Sequence, residues 1–169
     1  MSASSVETPL SIRKMTPSDL ERVIEIDRLS FSLPWPERSF HFEVEKNEAA
    51  RAWIAEVTNN DGTTSIAGMI VGWLIVDEIH VATIAADPTH RREGIGRRLM
   101  LHLLHEAYKE GARKSFLEVR RSNEAARKMY CSLGYREDGV RPHYYQDNHE
   151  DAILMSLQEI DPGLFDTQG

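Results

Sequence analysis

Apolar and polar positions change their period along this chain, and each change marks an element. "LSIRKM" alternates and predicts a first strand. Thr16 then offers an N-cap, Pro17 suits the first helical position and Asp19 completes a capping-box-like start, with Leu20, Val23 and Ile24 at helical spacing behind it. "SLPWPERSF" breaks that helix, and Pro36 opens another short one through Phe40 and Val44. "RAWIAEV" predicts a strand, "TNNDGTTS" a hairpin loop turning at Asp61-Gly62, and "IAGMIVGWLIVDE" and "IHVATIAAD" two further strands. Leu99, Leu103, Leu104 and Ala107 form an apolar helical stripe that Gly111 stops. "KSFLEVRR" follows as a strand, "NEAARKMYCSL" as a helix ended by Gly134, and "EDAILMSL" as a last strand.

The order βααβββαβα, followed by one or two strands, predicts an α/β fold: a mixed sheet flanked by helices. One domain over residues 10–160 is expected, with flexible ends at 1–9 and 161–169. No internal repeat or low-complexity segment interrupts it.

Composition narrows the class. Apolar residues make up 41% and charged residues 28%, which fits a soluble globular protein. A formal charge of −7 argues against broad nucleic-acid binding, which needs a basic surface. Cys131 is the only cysteine, so no internal disulfide can form and a reducing, cytoplasmic setting is expected. "MSASSVETPL" lacks the apolar core of a secretory signal. The longest apolar run, Ile66 to Val76, is far short of the roughly 20 residues that span a bilayer, so no membrane role is expected.

"DPTHRREGIGRRLM" (residues 87–100) sets Gly94 and Gly96 between a strand and a helix, among Arg91, Arg92, Arg97 and Arg98. A helix start leaves backbone N–H groups without intrahelical partners, and the helix dipole adds positive potential there. Glycines let a ligand approach that backbone closely, so the turn suits a phosphate or diphosphate. Taken alone, it serves equally as a tight connection. A dinucleotide fingerprint fails because Leu99 stands where the third glycine belongs, and a P-loop fails because no Gly-Lys-Ser/Thr follows.

"HRREGIG" resembles the R/Q-x-x-G-x-G/A motif of the GNAT superfamily of N-acetyltransferases. "FLEVRRSNEAARKMYCSLGY" looks like the second half of that fold, and "FSLPWPERSF" and "YYQDNHEDAILM" match one branch of it. That branch acetylates the N-terminal alanine of a bacterial ribosomal protein, and the resemblance spans residues 10–157. It implies a mostly antiparallel twisted sheet of about seven strands with about four helices. It also implies acetyl-CoA as co-substrate, a protein N-terminus as acceptor, and no metal. Backbone groups of Ile84, Ala85 and Ala86 would bind the pantetheine arm and acetyl group as an added strand. Arg92, Glu93, Gly94, Ile95, Gly96 and Arg97 would cradle the diphosphate, and Asn123 would contact the coenzyme while capping its helix.

The same resemblance gives Glu118 the role of proton acceptor and Tyr130, in "YCSLGY", that of proton donor to the coenzyme thiolate. Tyr144 and Tyr145 would clamp the substrate N-terminus, though Gln146 follows them where many relatives carry proline. Phe31, Pro34 and Trp35 would line the opposite side of the entrance. On its own strand Glu118 shares a face with Phe116 and Arg120; apolar neighbours would raise its pKa, whereas a nearby arginine would make it an ion pair. Tyr130, by spacing alone, reads as a core aromatic of its helix.

His102, His105 and Glu106 form H-x-x-H-E, which matches neither H-E-x-x-H nor H-x-x-E-H and reads as a solvated helix face. Cys131 points about 100° away from Tyr130, with no base to activate it. Two other functions compete: acetylation of a lysine, polyamine or other small amine, and non-catalytic acyl-CoA sensing. A sensor needs neither Glu118 nor Tyr130.

Overall fold

The computed structural model describes residues 9–166. The strands are β1 (Leu10–Lys14), β2 (Ala50–Thr58), β3 (Thr64–Ile75), β4 (Glu78–Ala86), β5 (Lys114–Arg120), β6 (Arg136–Arg141) and β7 (Ala152–Leu157). They form one sheet in the order β1-β2-β3-β4-β5-β7-β6, antiparallel except between β4 and β5. The helices are α1 (Leu20–Ser30), α2 (Glu37–Glu45), α3 (Ile95–Lys109), α4 (Glu124–Ser132) and the short α5 (Gly163–Asp166).

Alternation along the central strands sorts the core into two layers. Ile54, Met69 and Val71 face α1 and α2, where Val23, Ile26 and Phe40 meet them. Ala55, Val57 and Ile70 face α3, against Leu99, Leu103 and Leu104. Gly68 and Gly72 explain the glycines in the long apolar run. A Cβ at Gly68 would lie 2.8 Å from Ile95 Cγ2, and one at Gly72 2.9 Å from Leu103 Cδ2. The missing side chains let α3 settle directly on β3.

The parallel contact of β4 with β5 is brief. It covers Glu78↔Lys114, Ile79↔Ser115 and His80↔Phe116. Immediately beyond, β4 carries an extra residue: Thr83 pairs with Val71 and Val81 with Gly72, leaving Ala82 as a bulge. A bulge bends its strand. Past it the two strands run apart, and the space between them is where the site lies.

The expected elements all form, with three differences of detail. The strand pair after the hairpin loop turns at Val76-Asp77, where Val76 is left-handed at φ 56°. No glycine or asparagine announces that turn. The chain end has two strands, and β6 precedes the recognised "EDAILMSL". Beyond Ile160, α5 packs on α3, its Phe165 ring 4.4 Å from that of His105. Residues 1–8 and 167–169, expected to be flexible, lie outside the described residues.

Candidate active site

A cavity of about 620 Å³ opens where β4 and β5 part, walled by the loop after α1, by both strands and by α4. Each wall follows from the local sequence. On β5, Leu117 to Arg120 all line the cavity, Leu117 and Val119 being buried while Glu118 is the exposed member. On β4, Ile84, Ala85 and Ala86 line it beyond the bulge. Because β5 has diverged there, this stretch of β4 presents a strand edge that an extended ligand can pair with.

The glycine turn closes one end. Asp87 Oδ1 accepts the Thr89 N–H at 2.8 Å, and Asp87 also pairs with Arg22 of α1, which ties the turn's entry to the first helix. Arg92 and Gly94 are both left-handed, at φ 66° and 75°. Gly96, in the first turn of α3, lines the cavity, and a Cβ there would meet only Met129 Cε at 3.8 Å. Of the predicted cradle, Arg92, Glu93, Gly94, Ile95 and Arg97 stand outside the cavity lining. Ile95 is buried under β3, Glu93 bonds His90, and Arg97 reaches Ser132 Oγ on α4 at 2.6 Å. Their backbone still builds the helix start. Asn123 lines the cavity and caps α4, its Oδ1 accepting the Ala126 N–H at 3.2 Å.

Glu118 and Tyr130 both line this cavity. Tyr130 is 5% exposed on α4, 5.9 Å from the ring of Tyr135, and burial pushes its phenol well above the ordinary range. Glu118 differs from expectation. It is not shut away from water or charge: its side chain is 32% exposed and Oε1 lies 3.4 Å from Arg141 Nη2. The ion pair does form, with an arginine of β6 that sequence proximity could not nominate.

The acceptor side is built by two loops. Phe31 and Trp35 line the cavity as expected, but Pro34 does not; Ser32 and Leu33 take part instead. Asp27 holds this loop from inside, Oδ2 accepting the Trp35 N–H at 2.8 Å. Asp27 is 1% exposed, and its burial pushes the carboxyl upward. Tyr145 enters the cavity, whereas Tyr144 stays outside, 46% exposed under the Arg141 guanidinium. Of the two rings, packed edge-on 5.2 Å apart, only that of Tyr145 lines the cavity.

Besides Ser32 and Leu33, the expectation left out Arg120 and Asp27. Arg120 was within reach, being two residues from Glu118 on one strand face. Asp27 also left a signal: it continues the apolar spacing Leu20, Val23, Ile24, where a charge is out of place.

The sequence profile of the Acetyltransferase (GNAT) family matches residues 20–135, from the start of α1 to Tyr135. This chain belongs to the GNAT family. Among curated relatives, the [Ribosomal protein bS18]-alanine N-acetyltransferase of Escherichia coli K12 is 35% identical over 149 residues, covering 87% of this chain and 96% of that one. The same enzyme of Salmonella typhimurium is 34% identical over 149 residues, with the same coverage. The crystal structure of the Escherichia coli ribosomal-protein-S18-alanine N-acetyltransferase superposes with a TM-score of 0.79 at 34% identity, covering 90% of this chain and 95% of that one. The GNAT match holds the glycine turn, β5 and α4.

GNAT enzymes use acetyl-CoA. The residues present here fit it: a free strand edge at Ile84–Ala86, a helix start whose Gly96 leaves open space, and a cavity running between them. No helix of the described residues is long and apolar enough to cross a membrane.

Proposed function

We propose that this chain transfers the acetyl group of acetyl-CoA to the N-terminal α-amine of a protein, and that the acceptor is the N-terminal alanine of a small-subunit ribosomal protein. The observation that carries the reading is the convergence of Glu118 and Tyr130 on one cavity at the parted strands. Relatives named for that acceptor, 34–35% identical over most of the chain, support it. Such an acceptor puts the work in the cytoplasm.

Acetyl-CoA supplies the acetyl group as an activated thioester. Ile84, Ala85 and Ala86 hold its extended arm by backbone pairing, and the helix start from Gly94 to Arg97 holds the diphosphate. Asn123 adds a polar contact at the start of α4. Side-by-side binding of both substrates supplies much of the acceleration without a covalent enzyme intermediate.

The amine must arrive neutral. A protein α-amine has a pKa of about 8 and a lysine about 10.4, so neutralising the lysine near pH 7 costs roughly 3 kcal/mol more. A single carboxylate suits the easier task. Glu118 accepts the amine proton, directly or through water, with Arg141 Nη2 3.4 Å from its Oε1. Tyr130 gives its proton to the departing sulfur; its buried phenol is neutral throughout the working range. Phe31, Trp35 and Tyr145 enclose the residue that bears the amine.

The test is intact-mass analysis after incubation with acetyl-CoA and a panel of acceptors. The panel holds peptides with free N-terminal alanine, serine or methionine, an N-blocked lysine peptide, and spermidine. Acetylation of the alanine peptide at its α-amine is the expected outcome. Acetylation confined to lysine or spermidine overturns the reading.

A further inference from the structure

Arg120 gathers partners from two loops far apart in the chain. Its Nη1 and Nη2 donate to Asp147 Oδ1 and Oδ2 at 3.1 and 2.9 Å, a two-pronged contact with the segment between β6 and β7. Nη1 also reaches Asn148 Oδ1 at 3.2 Å and Glu150 Oε1 at 3.5 Å. The guanidinium carbon lies 3.9 Å from the centre of the Tyr145 ring. Nη2 touches Ser32 Oγ at 3.4 Å, and the Ser32 hydroxyl itself donates to Asp147 Oδ2. One side chain on β5 therefore joins the loop after α1 to the β6–β7 segment. Ser32, Arg120 and Tyr145 line the same cavity as Glu118.

The β6–β7 segment does not hold this shape by local preference. His143 and His149, near its two ends, are left-handed at φ 54° and 56°, a conformation that side-chain-bearing residues disfavour. Hydrogen bonds inside the segment, such as His149 N–H to Tyr145 O at 2.8 Å, and the tertiary contacts of Arg120 hold it there together. A forked arginine–carboxylate contact and a guanidinium stacked on an aromatic ring are both strong choices for that work. The loop after α1 is held differently at its two ends. Its inner end is fixed by buried Asp27 on the Trp35 N–H. Its outer end, at Ser32, depends on Asp147 and Arg120.

We propose that Arg120 is a positioning residue for the acceptor: it latches the Ser32 loop to the Asp147 segment and thereby fixes Tyr145 across the mouth of the cavity. This rests on the reading of that mouth as the acceptor entrance. The latch acts on one substrate only. Ile84–Ala86 and Gly96 belong to β4 and α3, outside the latched loops, so the main acetyl-CoA contacts lie away from it. Without the latch the acceptor meets a mouth of variable width and loses an oriented wall, which weakens its binding without altering the reacting groups.

Two measurements on the full chain test this, using Arg120→Ala, Arg120→Lys, Asp147→Asn and Ser32→Ala. The first is amide hydrogen exchange at Tyr145 and His149, whose N–H groups donate to Glu150 O at 3.2 Å and Tyr145 O at 2.8 Å. Arg120→Ala should speed both by about tenfold or more while exchange in α3 stays unchanged. The second is steady-state kinetics with whichever amine the acceptor panel shows to be acetylated. Arg120→Ala should raise the acceptor KM about tenfold, with kcat within about threefold and acetyl-CoA affinity within about twofold of wild type. Arg120→Lys should fall between, because lysine keeps the charge but not the fork.

Unchanged exchange at Tyr145 and His149, or a loss of kcat or acetyl-CoA affinity at constant acceptor KM, overturns the proposal. If Arg120→Ala does not fold, Asp147→Asn and Ser32→Ala decide it by the same two readouts. If the panel yields only a small amine, the α-amine reading fails, while exchange and the KM of that amine still decide the latch.

Discussion

Arg141 of β6 reaches across β7 to place its Nη2 3.4 Å from Glu118 Oε1 on β5. The pair joins an expected proton acceptor to a cation from the far edge of the sheet, and both members remain solvated, at 32% and 56% exposure. An exposed pair of this kind contributes under about 1 kcal/mol. Arg141→Ala is therefore expected to change kcat less than about fivefold, since 1 kcal/mol corresponds to that factor. Glu118→Gln removes the proton acceptor itself and should lower kcat by about 10²–10⁴-fold. Acetyl-CoA affinity, followed by calorimetry, should hold in both. Equal losses in the two variants would show that Glu118 acts through its charge on the sheet rather than on the amine.

Tyr130→Phe should keep the fold and the coenzyme site while slowing turnover by about 10²-fold or more. The ring stays in place against Tyr135, so only the hydroxyl is lost. Because burial raises the phenol's ionisation above its ordinary value near 10, the donor remains protonated at every pH below that. The wild-type profile should accordingly show no alkaline loss of kcat from Tyr130 up to about pH 9. A wild-type rate in Tyr130→Phe, measured under single-turnover conditions, would remove this residue from the chemistry.

The legible parts of this molecule were those written in short-range spacing. Gly94 and Gly96 announced the helix start because the turn and its ligand-facing residue lie within three positions of each other. Leu117, Glu118 and Val119 gave their faces by alternation alone, and the structure agrees. What escaped was set by tertiary contact. The expected apolar setting of Glu118 gave way to Arg141 because β6 folds back beside β7, and no pattern around Glu118 encodes that. Of Tyr144 and Tyr145, which one turns inward depends on the guanidinium of Arg120 stacked on the latter. The Val76-Asp77 turn carries no glycine or asparagine, and its position goes with the pairing of Ile75 with Glu78.

Two glycines should separate stability from binding. Gly68 lies beneath α3, and an alanine Cβ there would sit 2.8 Å from Ile95 Cγ2 and 3.1 Å from both Ala85 O and Leu99 Cδ1. The side chains can yield but the carbonyl cannot, so Gly68→Ala should cost about 1–3 kcal/mol of stability. Gly96 has open space, and a valine there would project into the cavity that the diphosphate end of acetyl-CoA needs. Gly96→Val should leave thermal stability nearly unchanged, yet weaken acetyl-CoA binding by about tenfold or more. Denaturant titration and calorimetry on both variants give the cross-comparison; a stable Gly68→Ala or a tight-binding Gly96→Val would contradict the packing described.

His102 makes the protein's stability sensitive to mild acid. Its ring lies edge-on to Trp53, 4.3 Å between centres, and its Nε2 is buried with no hydrogen-bond partner among the described residues. Burial depresses its pKa below 6.5, and the pull of Glu106 only partly opposes this. The sign follows from proton counting: just below the unfolded-state value of about 6.5 the unfolded chain binds a proton that the folded chain refuses, so stability falls as pH falls through that window. The loss is bounded at about 1.4 kcal/mol per pH unit and ends once pH drops below the folded-state pKa. His102→Leu keeps an apolar body beside Trp53 and removes the titration. Between pH 7.5 and 5.5 its unfolding free energy should therefore decline less than that of wild type, although its stability at pH 7.5 need not match. Parallel pH slopes for the two proteins would mean that His102 accepts a proton without leaving its place beside Trp53.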